Sequence, residues 1–245
     1  VQTCALPIFL LNRNNLTGQS NKKQMKQIAA FFKLIRWPNL VFIILTQFLF
    51  YQCIVFSNEA YSFREFFNPG TPFIFLLLAS LFIAAGGYAI NDYFDLHIDN
   101  INKPDKVVVD KLVKRRWTIF FHFLFSLAGI IFSGMVSFIT HKWVILIVNI
   151  VCVFLLWLYS TRYKKRLLIG NILIAAMTAW VILVVYFFAG ASLINVKGWT
   201  LHIYPYNIKQ LFKLTMLYAG FAFVMSLIRE VVKDLEDMIG DAKFK

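Results

Sequence analysis

Residues 73–99 read FIFLLLASLFIAAGGYAINDYFDLHID, an apolar run that ends on Asn91-Asp92-Tyr93-Phe94-Asp95-Leu96-His97-Ile98-Asp99. The run is long enough to cross about 30 Å of hydrocarbon as a helix. Its three closing aspartates stand at i, i+3 and i+7, which confines them to roughly 60° of one helical face. The same spacing returns once, in Asp234-Leu235-Glu236-Asp237-Met238-Ile239-Gly240-Asp241, again directly after an apolar run. Of the 12 acidic residues in the chain, only Glu59 and Glu65 lie outside 92–110 and 230–241.

The rest of the composition places the chain in a bilayer. It has 245 residues, 60% of them hydrophobic and only 15% charged, with a mean hydropathy of +0.68. A soluble domain would be about half apolar and a quarter charged. The net charge of +13 does not point to nucleic acid, because the lysines and arginines sit between apolar runs and form no basic face on a soluble fold. Cys4, Cys53 and Cys152 have no CxxC or histidine-spaced partner, so neither a disulfide nor a zinc site is expected.

Six stretches are long enough to cross: approximately 37–56, 73–92, 117–139, 143–160, 170–194 and 211–229. They are continuously apolar and lack the alternation of a membrane barrel strand, so the expected fold is an all-α, polytopic transmembrane bundle. Residues 1–36 form a separate N-terminal part. Its apolar piece from Ala5 to Leu11 is too short to span and has no basic leader. Residues 12–27 read as a polar tail, and 28–36 as an amphipathic helix at the interface, with Lys33 and Arg36 beside Phe31, Phe32 and Trp37. The transmembrane domain is expected over 37–245. Twenty Lys and Arg fall in the arm, in 93–116, in 161–169 and from Arg229 onward, against four in the alternate loops. By the positive-inside rule, both aspartate clusters face the cytoplasm.

Carboxylates at the edge of hydrocarbon, near a helix C-terminus whose dipole repels anions, need a positive partner. An oxygen-only ligand set favours a hard cation, and Mg²⁺ typically takes one or two carboxylates while keeping waters and phosphates in its other positions. Neither stretch has EF-hand spacing. Basic residues lie beside both clusters: Lys103 and Lys106, then Lys164, Lys165 and Arg166, then Arg229 and Lys233, with Arg36 able to approach from the arm. Such side chains donate well to phosphate oxygens.

Taken in order, Arg36-Trp37-Pro38-Asn39, Asn91-Asp92-x-x-Asp95-x-x-x-Asp99, Asn102-Lys103-Pro104-Asp105-Lys106, Tyr159-Ser160, Lys164-Lys165, Gly170-Asn171, Arg229-Glu230 and Asp234-x-x-Asp237-x-x-x-Asp241 resemble the UbiA superfamily of intramembrane prenyltransferases. That resemblance implies nine transmembrane helices around a lipid-open cavity, against six visible here, so that about three C-terminal helices would be missing. It also implies that both motifs sit on cap loops, binding Mg²⁺ and a prenyl diphosphate. Asp92, Asp95, Asp234 and Asp237 would be the catalytic metal ligands, with Asp99 and Asp241 completing the metal set. Asn91, Lys164, Arg229, Arg36 and Lys106 would bind the diphosphate, although the family commonly has arginine where Lys106 stands. Partners would be a prenyl diphosphate donor, a hydrophobic or amphipathic acceptor (a glycerol-phosphate ether or a quinone precursor) and membrane lipid. Tyr93, Phe94, Tyr159 and Tyr163 are candidates to face an allylic cation. His97 reads as a solvated loop residue, and Gly86-Gly87 as a site of close helix packing or of a bend. A divalent cation transporter with an acidic vestibule is the alternative; it would be expected to carry acids inside its spans, and 117–228 contains none.

Overall fold

The computed structural model describes residues 25–55, 70–102, 107–165, 168–189 and 208–241. A short helix α1 (25–34) leads through a turn into α2 (Trp37–Phe50), which runs on through a π-helical turn to Val55. There follow α3 (Thr71–Asn102), α4 (Arg115–Thr140), α5 (Trp143–Thr161), α6 (Ile169–Ala189) and α7 (Ile208–Asp241). Among the described residues six helices are long and apolar enough to cross a membrane, and there is no β-strand.

Two of these helices outrun the bilayer. α3 has 32 residues and α7 has 34, or about 50 Å each at 1.5 Å per residue. Both aspartate motifs therefore lie on the last turns of continuous helices, where the resemblance had implied cap loops. The reason is local, because no proline interrupts either helix beyond its first turn; the next one after the first motif is Pro104. The structure extends the second span to Leu96 and the sixth to Glu236. The expected end of the fifth, near 194, lies outside the described residues.

Small residues set how closely the helices approach. A Cβ built on Gly86 would lie 3.0 Å from Ser126 Oγ, and one on Gly129 would lie 2.6 Å from Ile83 Cγ1, so α3 and α4 meet nearly backbone to backbone. Gly87 is filled in the same way by Leu156 of α5. The two-residue link His141-Lys142, with His141 in the left-handed region at φ 53°, turns α4 directly into an antiparallel α5.

Buried polar contacts tie the bundle at depth. Gln47 Nε2 of α2 donates to Ser80 Oγ of α3 and to the Val181 carbonyl of α6, each at 2.9 Å. Asn149 of α5 donates to Ser133 of α4 at 2.7 Å and accepts from Trp180 Nε1 of α6 at 2.9 Å. The faces with large exposed apolar side chains, such as Phe120, Phe123, Leu127 and Phe138 of α4, are suited to lipid. α1 exposes Met25, Ile28 and Phe32 while burying Ala30 and Leu34 against Leu96 and Val107–Val109. It thus packs beside the first motif as well as presenting an apolar face.

Candidate functional site

The site forms where α2 begins, α3 ends, α5 passes into α6, and α7 ends. Arg36 occupies the turn between α1 and α2 in the left-handed conformation, φ 50° and ψ 53°, which costs a non-glycine residue roughly 1–2 kcal/mol. That turn puts its guanidinium over the Tyr88 ring, 5.2 Å from the centroid, and donates from Nη2 to Asp92 Oδ1 at 2.6 Å. Burial of the guanidinium opposes its charge, but the Asp92 carboxylate outweighs this and holds Arg36 above its ordinary pKa.

Asp95, one helical turn on, is buried, with 4% of its surface exposed. Its Oδ2 accepts from Asn91 Nδ2 at 2.6 Å and from Lys164 Nζ in the turn between α5 and α6. Asn91 Oδ1 is buried and has no hydrogen-bond partner among the described residues. A carbonyl oxygen beside a carboxylate is a donor pair that a hard cation accepts.

The second motif reaches the same place through α6. Asn171 Nδ2 donates to Asp234 Oδ2 at 2.8 Å. The contact depends on Gly170, because a Cβ there would lie 2.9 Å from the Tyr163 carbonyl oxygen and 3.1 Å from the Tyr159 ring. Tyr159 is buried between the two halves, within electrostatic reach of Asp95 on α3 and of Glu230 and Asp234 on α7.

Of the residues singled out from sequence, the structure brings Asn91, Asp92, Asp95, Arg36 and Lys164 together on one side and Asp234 opposite them. Arg229 is directed differently: its side chain is 63% exposed and donates to Glu230 Oε1 at 3.2 Å. The side chains of His97, Asp99, Asp237 and Asp241, and all of Lys106, lie outside the described residues, although the backbones of those four continue α3 and α7. Of the four aromatic candidates, the Tyr93 face is covered by Arg115, 4.8 Å from the ring centroid, Phe94 is exposed and Tyr163 is half-buried, so Tyr159 is the buried one.

Among the described residues no three acidic, histidine or cysteine side chains gather as a metal-binding group. The arrangement instead fits an ion that takes one or two carboxylates from each helix and fills its shell with water and phosphate oxygens, as Mg²⁺ does. Asp92, Asp95, Asn91 Oδ1 and Asp234 are all oxygen donors.

A bundle of apolar helices that carries acid-rich ends on two of its members, with Asp92, Asp95 and Asp234 each held by a cation or an amide, is the architecture of a polytopic helical membrane protein with a charged site at one end of the bundle. The chain belongs to the UbiA prenyltransferase family, whose model matches residues 36–245. It is 32% identical over 171 residues to the digeranylgeranylglyceryl phosphate synthase of Methanobrevibacter smithii, covering 69% of this chain and 54% of the relative. It is 27% identical over 214 residues to that of Sulfurisphaera tokodaii, covering 87% and 66%. A solved structure described as a digeranylgeranylglyceryl phosphate synthase superposes with a TM-score of 0.59 at 25% identity, over 89% of this chain and 66% of the other. The chain spans about half the length of the M. smithii relative. Neither the family nor these relatives support the divalent cation transporter.

Proposed function

We propose that this protein transfers a prenyl group from an isoprenyl diphosphate to a glycerol-phosphate ether within the membrane, in an Mg²⁺-dependent reaction at the cytoplasmic face. The observation that supports the reading is that Asp95 of α3 and Asp234 of α7 both lie within electrostatic reach of the buried Tyr159, with Asp92 one helical turn before Asp95 and bound by Arg36. The named product of the relatives favours the glycerol-phosphate ether over a quinone precursor as acceptor.

Asp92, Asp95, Asp234 and Asp237, supported by Asp99 and Asp241, would hold the metal. When bound, Mg²⁺ supplies Lewis-acid stabilisation of charge on the leaving diphosphate. Asn91 fixes the Asp95 carboxylate through its amide nitrogen and presents its free carbonyl oxygen to the site. Arg36 and Lys164, already neutralising Asp92 and Asp95, are placed to exchange those carboxylates for phosphate oxygens; Lys106 and Arg229 would extend the clamp. The allylic C–O bond of the donor breaks with its electron pair leaving on the diphosphate, the acceptor hydroxyl oxygen bonds to the same carbon, and the hydroxyl proton passes to the released diphosphate. Tyr159 would present its aromatic ring to the positive carbon while that exchange takes place.

The test is incorporation of radiolabelled prenyl diphosphate into organic extract, with geranylgeranylglyceryl phosphate and 4-hydroxybenzoate as competing acceptors. Label is expected in the glycerol ether, lost with Asp95→Ala or Asp237→Ala. Label in hydroxybenzoate alone, or undiminished transfer in either variant, overturns the reading.

A further inference from the structure

The body of α1 and the start of α4 have no part in the prenyl-transfer reading. α1 buries Ala30 and Leu34 in a cluster with Leu96 and Val107–Val109. On its opposite side Met25, Ile28 and Phe32, at i, i+3 and i+7, form an exposed apolar stripe. Lys26 and Lys33, themselves seven residues apart, flank that stripe and are exposed. Phe31 sets the depth of the helix, because its ring meets Phe121 at 5.2 Å and Phe125 at 6.1 Å. Both of these lie within the span Arg115–Thr140, and α2 begins its own span at Trp37. The outer stripe of α1 is therefore at the edge of the hydrocarbon, level with the exposed Trp37, Trp117 and Phe120. Lipid is the surface that an amphipathic helix meets there.

Charge beside the stripe selects the kind of lipid. α4 opens on Lys114, Arg115 and Arg116, with no acid in its first turn and no side-chain cap. Cations are disfavoured at that end of the helix dipole, and the first N–H groups of the helix need an acceptor. The phosphate of an anionic headgroup answers both needs. Lys114 and Arg116 are exposed, so four outward cations stand around the place where α1 packs on the first turns of α4. That is the charge complement of an anionic leaflet.

α1 also has no slack in its link to the site. Ile35 N–H donates to the Phe31 carbonyl and Arg36 N–H to the Lys33 carbonyl, each at 3.1 Å, and the Arg36 carbonyl accepts from Asn39 N–H at 2.9 Å. Hydrogen bonds thus run from α1 through the turn into α2, and Arg36 within that turn holds Asp92. We infer that α1 and the first turn of α4 form a seat for anionic phospholipid, and that the seated lipid steadies the first aspartate motif through Arg36 and Leu96. The seat is separate from the diphosphate site, and lipid binding there stands whether or not the chain transfers prenyl groups.

The test places the full chain in nanodiscs of phosphatidylcholine alone, or of phosphatidylcholine and phosphatidylglycerol in equal parts, and follows hydrogen–deuterium exchange. Phosphatidylglycerol is expected to slow exchange over residues 25–34 and 91–96 by about fivefold or more, the factor that one cation near an anionic surface supplies. Lys26→Gln, Lys33→Gln, Lys114→Gln and Arg116→Gln combined should abolish both effects, and Lys26→Gln or Arg116→Gln alone should remove part of each. Lys142→Gln, in the link at the other end of α4, should leave both intact. An unchanged melting temperature of the fourfold variant in phosphatidylcholine shows that it folds. Equal exchange in the two kinds of disc overturns the seat, and slowing confined to 25–34 overturns its coupling to the motif. Equal slowing by glycerol 1-phosphate added to phosphatidylcholine discs would assign the cations to a soluble phosphate and overturn the lipid. Slowing that follows the number of chains per disc would put a second copy on the stripe, with the same consequence.

Discussion

Replacing Arg36 separates two contributions that meet at one residue. In Arg36→Met the guanidinium disappears, and Asp92, whose side chain is 16% exposed, is left without its 2.6 Å partner. Breaking a fully buried pair costs about 3–5 kcal/mol. The Arg36 side chain is 32% exposed, so water screens part of this and the expected cost is about 2 kcal/mol. Methionine keeps the left-handed backbone of φ 50° and its strain. Arg36→Gly loses the same ion pair but relieves that strain, so it should be about 1 kcal/mol more stable than Arg36→Met. Asp92→Asn added to Arg36→Met should recover most of the loss, because no orphaned charge remains. Thermal unfolding in detergent measures the wild type, the two Arg36 variants, Asp92→Asn and the double variant, and 2 kcal/mol corresponds to a fall in Tm of roughly 4–8 °C for a chain of this size. Equal melting temperatures for wild type and Arg36→Met, or losses from Arg36→Met and Asp92→Asn that simply add, would refute the coupling.

Helix packing makes a sharper contrast. Gly129→Ala places a methyl 2.6 Å from Ile83 Cγ1 and should destabilise by about 1–3 kcal/mol, whereas Gly134→Ala meets nothing within 4 Å and should be neutral or stabilising by up to about 1 kcal/mol; melting temperatures of the pair decide. Asn149→Leu strips Trp180 Nε1 of its acceptor. A blue shift in tryptophan emission and a loss of about 1–2 kcal/mol are expected, and an unchanged spectrum would count against the contact. Mg²⁺ should raise the melting temperature of the wild type, chelation should reverse the gain, and the gain should be absent in an Asp92→Asn, Asp95→Asn double variant; calorimetry with and without chelator reads this directly.

The spans were legible because continuous apolar runs of about 20 residues admit few structures in a bilayer. The acids of both motifs were legible because spacing along a helix is local information, and so was the close packing at Gly86 and Gly87. What the sequence withheld is contact between distant elements. Asn171 meeting Asp234 across α6 and α7, Lys164 reaching Asp95, and Gln47 joining α2 to α3 and α6 depend on how the helices are arranged, and a single chain offers no local mark of it. Arg229 and Lys233 differ by four residues and so stand on nearly the same helical face; their unequal exposure, 63% against 31%, comes from what surrounds the end of α7 and has no mark in the sequence. The left-handed turn at Arg36 was equally hidden, since arginine ordinarily avoids that conformation.

The central claim is that the ends of α3 and α7 hold one diphosphate between them through divalent metal. Mn²⁺ in place of Mg²⁺ allows bound metal to be counted by electron paramagnetic resonance as geranylgeranyl diphosphate is added. Asp95→Ala and Asp234→Ala should each lower diphosphate-dependent Mn²⁺ binding by about a hundredfold, and the double variant should be little worse than either alone, as for groups that act as a unit. Tight binding surviving in either single variant would mean that the two helices do not share the ligand.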